Sequence, residues 1–203
     1  MNRKKIHRGM QFLSNIDEDF ARGMGVVGVP EPRIRAPGFG TFFSTIISQQ
    51  ISAAAANTIA HRVDEVLGEI TPETVLCVET ERLREAGMSY RKIEYAQGLA
   101  RAIVDGRFNP DALTALDDRE AIGHIVELRG FGTWSAEIYL MFSLQREDIF
   151  PADDLALRVA LAKLKGLETK PTPAQARKMV AHWSPWRSVG SLFLWKYYRG
   201  TPK

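Results

Sequence analysis

The residues that most directly suggest chemistry lie in Leu128-Arg129-Gly130-Phe131-Gly132-Thr133-Trp134-Ser135-Ala136. A Gly-x-Gly turn between two helices aims consecutive backbone N–H groups, and the positive end of the second helix, at one point in space. That arrangement suits a phosphate. A side chain at either glycine would hinder the turn or block the close approach of another backbone. An ordinary antiparallel helix pair with a glycine cap has the same spacing, so the turn alone does not fix a function. About twenty residues further on, Phe150-Pro151-Ala152-Asp153-Asp154 places two adjacent carboxylates where a helix begins, a position at which either could simply cap that helix. Four tryptophans, Trp134, Trp183, Trp186 and Trp195, are large enough for core packing and electron-rich enough to stack on a ligand.

These residues need a scaffold, and the sequence predicts a helical one. Alternation at period two is nearly absent, while helix punctuation recurs throughout. Asp17 opens a short helical pattern to Gly23, and the stretch from Gly25 to Gly40, with Pro30, Pro32 and Pro37, reads as a loop. Phe39 to Gln50 is apolar at helical spacing and leads into the alanine run Ala53 to Ala56. Thr71-Pro72, Ser89, Asp117 or Asp118, Thr133, Ala152 or Asp153, Thr172-Pro173 and Ser184-Pro185 each mark a helix start. The expected architecture is all-α, with ten to twelve helices joined by short loops and no internal repeat.

At 203 residues the chain is long enough for one large domain or two small lobes, with 45% hydrophobic and 25% charged residues. A single cysteine, Cys77, excludes an internal disulfide, a four-cysteine zinc site and a four-cysteine iron-sulfur cluster. The longest apolar runs, Phe42 to Ile47 and Ser191 to Trp195, fall far short of the roughly 20 residues of a membrane span. The basic start, Met1 to Arg8, has no apolar run behind it, so a secretory signal is not expected and a cytoplasmic, nucleoid-associated location is. The net charge of +3 hides an asymmetry. From Leu155 to Lys203 ten basic residues face one acid, Glu168, a local net of +9 that leaves −6 on the first 154 residues. Such an excess points to a polyanion, although solvated surface lysines would produce it too.

The Gly-x-Gly hairpin followed by the Phe-Pro-x-Asp-Asp helix start closely resembles the helix-hairpin-helix base-excision glycosylases. Within that superfamily it is similar to the alkylation-repair branch, DNA-3-methyladenine glycosylase II. The resemblance extends to Ile46-Ile47-Ser48-Gln49-Gln50-Ile51-Ser52, Gly87-Met88-Ser89-Tyr90-Arg91-Lys92 and Trp183-Ser184-Pro185-Trp186-Arg187-Ser188, and so spans Phe39 to Tyr198. It implies two helical lobes with the active-site cleft between them, one from about 39 to 115 and a hairpin-containing one from about 116 to 203 joined by the N-terminal segment. Relatives of enterobacterial type carry an extra N-terminal β domain. Only 38 residues precede Phe39, so no such domain is expected.

The family's functional residues map onto this chain by position. Asp154 is implied as the catalytic carboxylate, leaving Asp153 as the helix cap. A carboxylate beside C1′ would stabilise the oxocarbenium-like transition state that forms as the base departs. Trp134 stands where the lyase-active members carry a nucleophilic lysine, so simple hydrolysis without strand cleavage is expected. Trp134 and Trp195 match positions lining the base pocket, where indole faces would stack on a cationic purine such as 3-methyladenine or 7-methylguanine, a cation-π attraction worth about 0.5 to 2 kcal/mol. Trp183 and Trp186 remain core residues. Gln50 sits where the family places the wedge that fills the stack after base flipping, with Ser48 and Ile51 nearby. A buried glutamine bridging two helices is the competing use of that residue. Gly130, Phe131, Gly132 and Thr133 would hold the DNA backbone, with Arg91, Lys92, Arg158 and Lys163 as further phosphate contacts. Backbone carbonyls near Val126 and Leu128 would hold a Na⁺ or K⁺, and no iron-sulfur cluster is expected. The implied partner is double-stranded DNA containing alkylated bases, bound by a monomer. A non-catalytic helix-hairpin-helix DNA-binding module would need the hairpin and the basic tail but neither Asp154 nor Trp134.

Overall fold

The structure is a computed structural model that describes residues 1–200, so Lys203, the last cation of the basic segment, lies outside the described residues. Among the described residues there are twelve α-helices, two short 3-10 turns at Ala112–Thr114 and Ala181–Trp183, and no strand. The chain is all-α, as its punctuation predicts. No helix is long and apolar enough to cross a membrane among the described residues.

Side chains that accept the first amide hydrogens of each helix explain most starts. Asn2 caps α1 (Arg3–Ile16) and Asp17 caps α2 (Glu18–Val27). After α3 (Phe39–Ser48), Ser52 caps α4 (Ala53–Leu67). Thr71 and Thr74 form a reciprocal box at α5 (Pro72–Cys77), which is followed by α6 (Thr80–Glu85). Ser89 caps α7 (Tyr90–Val104), and of the two candidate aspartates it is Asp117 that caps α8 (Asp118–Val126), in a box with Glu120. The chain then continues through α9 (Thr133–Phe142) and α10 (Leu155–Leu164). Thr172 and Gln175 box α11 (Pro173–Met179), and α12 (Arg187–Gly200) closes the described chain.

Four starts differ from expectation, α10 among them, since it opens at Leu155 rather than at Ala152 or Asp153. Helix α1 is not expected from the sequence, because its apolar stripe Ile6, Gly9, Met10 and Leu13 is diluted by four cations in the first six helical residues. Thr133 is the first residue of α9 rather than its cap, since Ala136 N–H already bonds the Gly132 carbonyl at 3.1 Å. Helix α12 begins at Arg187, two residues beyond Pro185.

The helices group into two compact units, residues 1–34 with 137 onward, and residues 35–136. In the second unit Phe42 meets Phe108 and Phe131 edge-on, with ring centroids 5.5 and 5.4 Å apart. Phe131 thereby anchors the hairpin in this unit, so residues 116–136, expected with the C-terminal lobe, belong instead with residues 35–115. In the first unit α1 and α2 pack on α12, around Phe20, which lies 4.2 Å from Phe193 and edge-on to Trp183 at 5.5 Å. Trp183 is fully buried and Trp186 nearly so, as expected of core residues.

Beneath these rings sits a buried carboxylate. Asp17, 5% exposed, accepts from Lys165 Nζ through both oxygens at 2.7 Å and from Trp183 Nε1 at 2.8 Å. The Phe20 amide donates to it at 3.0 Å, and His182 Nε2 lies 3.0 Å away. Burial works to raise its pKa, but these hydrogen bonds outweigh burial and hold the carboxyl well below the usual carboxylate range.

Candidate active site

The hairpin turns at Gly130, which has φ +95°. Phe131 N–H donates to the Leu128 carbonyl at 3.0 Å, and the Gly130 carbonyl accepts from Gln49 Nε2 at 2.8 Å. A Cβ at Gly130 would lie 2.7 Å from Tyr95 Cγ, so both the backbone and the neighbouring ring demand glycine. Gly132 is different: a Cβ there would meet nothing within 4 Å. Nothing inside the protein requires the second glycine, which leaves room for an external backbone. Gly132 and Thr133 are exposed, whereas Phe131 is 7% exposed with its ring in the core and its amide spent on Leu128. Of the four hairpin residues expected to hold DNA, Phe131 is therefore structural. Gly130→Ala is expected to cost about 2 to 4 kcal/mol in urea unfolding, combining left-handed strain with overpacking. Gly132→Ala should stay within about 0.5 kcal/mol.

The loop after α3 lies in the same unit. Gln50 is exposed in the left-handed region at φ +57°, an uncommon conformation for a residue with a side chain, and Ser48 and Ile51 are exposed beside it. The helix-bridging glutamine is its half-buried neighbour, Gln49, which ties this loop to the hairpin. Lys92, expected at a phosphate, instead donates from Nζ to the Ile47 carbonyl at 2.7 Å, and burial lowers its pKa. It satisfies the end of α3 and so holds the Gln50 loop from within. Arg91 is exposed. Trp134 stands in the first turn of α9 and is 42% exposed, a large apolar face left open to solvent.

In the first unit the Asp-Asp pair is resolved the other way round from expectation. Asp154 is the cap of α10, its Oδ1 accepting from Leu157 N–H at 3.0 Å. Asp153 is exposed, with Oδ2 3.8 Å from Arg177 Nη2. The reason is the turn before the helix. Asp154 N–H donates to the Pro151 carbonyl at 3.0 Å, so residues 151–153 are used in the turn and α10 starts only at Leu155. A carboxylate can accept through both oxygens, and the cap through Oδ1 fixes the orientation of the group.

Two motifs that look independent in the sequence are one physical strap. Asp148 accepts from Arg187 Nε and Nη2 at 2.7 and 2.8 Å and from the Ser184 hydroxyl at 2.7 Å. Burial tends to raise the Asp148 pKa, yet Arg187 and Ser184 bring it below its ordinary value. The buried Ser188 hydroxyl accepts from Ile149 N–H at 2.9 Å and donates to the Arg146 carbonyl at 2.8 Å. The chain leading to Asp154 is thus clamped to the start of α12. The sequence by itself assigns no individual role to Asp148, Arg187 or Ser188, although Arg187 and Ser188 stand inside the Trp183 to Ser188 motif.

Trp195 is half-buried, its ring 5.7 Å from Phe142, on a pocket of about 440 Å³ that also carries Glu31, Arg33, Lys196 and Arg199. Three cations and one carboxylate make that wall more hospitable to an anion than to a cationic base. Part of the basic segment is spent on internal partners. Lys165 pairs with Asp17 and Asp19, Arg177 with Glu137, and Arg187 with Asp148. Lys196 donates to the Val29 carbonyl at 2.7 Å and Arg158 to that of Pro171 at 3.4 Å. Among the described residues at least five of these cations are therefore engaged within the fold, and Lys163 is exposed at the surface.

The chain belongs to the HhH-GPD superfamily of base excision DNA repair proteins, whose pattern it matches over residues 43–185. Among its curated relatives, DNA-3-methyladenine glycosylase 1 of Schizosaccharomyces pombe is 31% identical over 191 residues, 91% of this chain and 84% of that protein. DNA-3-methyladenine glycosylase 2 of Escherichia coli is 27% identical over 187 residues, 85% of this chain and 63% of that protein. Among solved structures, a DNA-3-methyladenine glycosidase from Bacillus halodurans superposes with a TM-score of 0.85 at 28% identity, covering 94% of this chain and 88% of that one. The S. pombe 3-methyladenine DNA glycosylase in complex with abasic DNA gives 0.83 at 30% identity, covering 93% and 95%.

Proposed function

We propose that this protein is a monofunctional DNA N-glycosylase acting in base excision repair on alkylated, cationic purines such as 3-methyladenine and 7-methylguanine. The observation that carries the reading is Asp154, a carboxylate fixed by its own cap at the N-terminus of α10, in a chain similar to proteins named 3-methyladenine glycosylases. In the reaction the bond between C1′ and the base nitrogen breaks, positive charge builds on the sugar, and water adds its oxygen to C1′ while a proton is released. A preorganised carboxylate favours that charge more in the transition state than in the ground state. Trp134, two residues after Gly132, offers an indole and no amine, so no covalent sugar intermediate can form through that position.

The target base must leave the stack, and Gln50 is assigned to the gap it leaves. Its exposed, left-handed position and the internal supports from Gln49 and Lys92 favour a wedge held rigidly from behind. Trp134 and Trp195 are assigned to the departing base, with Trp134 the stronger candidate because of the cations around Trp195. Gly132 and Thr133 are assigned to a DNA phosphate. A Na⁺ or K⁺ is assigned to backbone carbonyls near Val126 and Leu128, at the C-terminal end of α8 where the helix dipole is negative, and no step of the hydrolysis depends on it. Cytoplasmic location, action as a monomer and the absence of an iron-sulfur cluster belong to the same reading.

The test is base release from duplex DNA carrying 7-methylguanine or 3-methyladenine. Free methylated base should appear, with strand breaks only after alkali. Strand cleavage without alkali would overturn the monofunctional assignment, and duplex binding without base release would leave a non-catalytic DNA-binding module.

A further inference from the structure

The turn that ends on Asp154 is gripped by two residues that the hydrolysis leaves without a role. Glu137, on α9, is 3% exposed. Its Oε1 accepts from Arg177 Nη1 at 2.9 Å, while its Oε2 is buried with no hydrogen-bond partner. The same Arg177 nitrogen donates to the Phe150 carbonyl at 2.9 Å, and Nη2 stands 3.8 Å from Asp153 Oδ2. A buried carboxylate with one oxygen unsatisfied is an expensive group to keep, and an apolar residue would fill the space at lower cost. What it provides is geometry. The planar guanidinium has its donors in a fixed fork, and the Glu137 carboxylate sets the orientation of that fork against Phe150 and Asp153.

We propose that Glu137 and Arg177 are positioning residues for Asp154: Glu137 orients the Arg177 guanidinium, which grips Phe150 and Asp153 and thereby fixes where the Asp154 carboxylate stands. The inference rests on the reading of Asp154 given under Proposed function. The grip at Phe150 acts on one side of the strap, and the clamp of Asp148 and Ile149 to Ser184, Arg187 and Ser188 acts just before it. Between the two holds and the cap on Leu157, the Pro151 to Asp154 turn has little freedom. Burial raises the Glu137 carboxyl, Arg177 opposes that rise and the charge of Asp153 adds to it.

The test is a mutant cycle read by two measurements: single-turnover release of 7-methylguanine at saturating enzyme, and affinity for a duplex carrying an abasic-site analogue. Arg177→Met should slow the single turnover by about 10²-fold, the scale of a displacement of about 1 Å at a catalytic group. Its duplex affinity should stay within about threefold. Glu137→Gln keeps an oxygen acceptor for Arg177 and should lose only about tenfold. The double variant Asp154→Asn with Arg177→Met should be no slower than Asp154→Asn alone, because the two act as a unit. Rate losses that multiply in the double variant, or affinity that falls in step with rate, would overturn the proposal. If Arg177→Met does not fold, the same cycle run with Glu137→Gln decides it by the same criteria. An Asp154→Asn protein as fast as wild type would remove the assignment of Asp154, a result distinct from failure of the coupling.

Discussion

Asp154→Asn is expected to reduce base release by about 10²- to 10³-fold, the scale for removing one preorganised electrostatic group, with little change in fold or duplex binding. The structure makes this variant unusually clean. Asp154 caps α10 through Oδ1, and asparagine caps a helix as well as aspartate does, so the substitution removes the charge and keeps the cap. Asp154→Ala removes both. It should add a stability loss of about 1 kcal/mol to a similar loss of activity. Comparing the two by base release and urea unfolding separates chemistry from helix initiation, and an Asn variant with unchanged activity would place the chemistry elsewhere.

Asp17→Ala is expected to give the largest stability loss, about 3 to 5 kcal/mol, because it leaves Lys165 without its buried counter-ion and Trp183 Nε1 without its acceptor. The contribution has a defined pH dependence. The folded-state pKa of Asp17 lies below its unfolded value of about 3.9, so its stabilisation is complete above that pH and is lost as pH falls toward the folded-state value. The stability gap between wild type and Asp17→Ala should therefore be constant above about pH 5 and narrow in acid. Asp148, also lowered, acts in the same sense. Glu137 acts in the opposite sense: its raised pKa means that ionising it in the folded state costs stability as pH rises above the unfolded carboxyl value. Urea unfolding at pH 3, 5 and 7 checks the prediction, and a gap that widens in acid would contradict it.

Much of the helix order was legible because it is encoded locally. Thr71, Ser89, Asp117 and Thr172 each cap a helix through a side chain within three residues of the amide it serves, and short-range geometry of that kind is written directly in the chain. The competition between Asp153 and Asp154 was not legible. Both can cap, and what decided between them was the hydrogen bond from Asp154 to Pro151 that consumes the preceding residues in a turn. Gln49 and Gln50 show the same ambiguity: one residue of backbone rotation sends the first to the Gly130 carbonyl and leaves the second exposed.

By itself the sequence determined the all-α class, the order of most helices, the hairpin glycines and the lone thiol, all properties of composition or of spacing within a few residues. The tertiary structure decided which charges meet. The basic segment after Asp154 reads as a polyanion surface because its acids are missing from the local sequence. Those acids come from far along the chain, as Asp17, Asp19, Glu137 and Asp148. Charge along a sequence can be counted from the chain, but neutralisation depends on distances of 3 to 4 Å, and these exist only once distant segments have packed together.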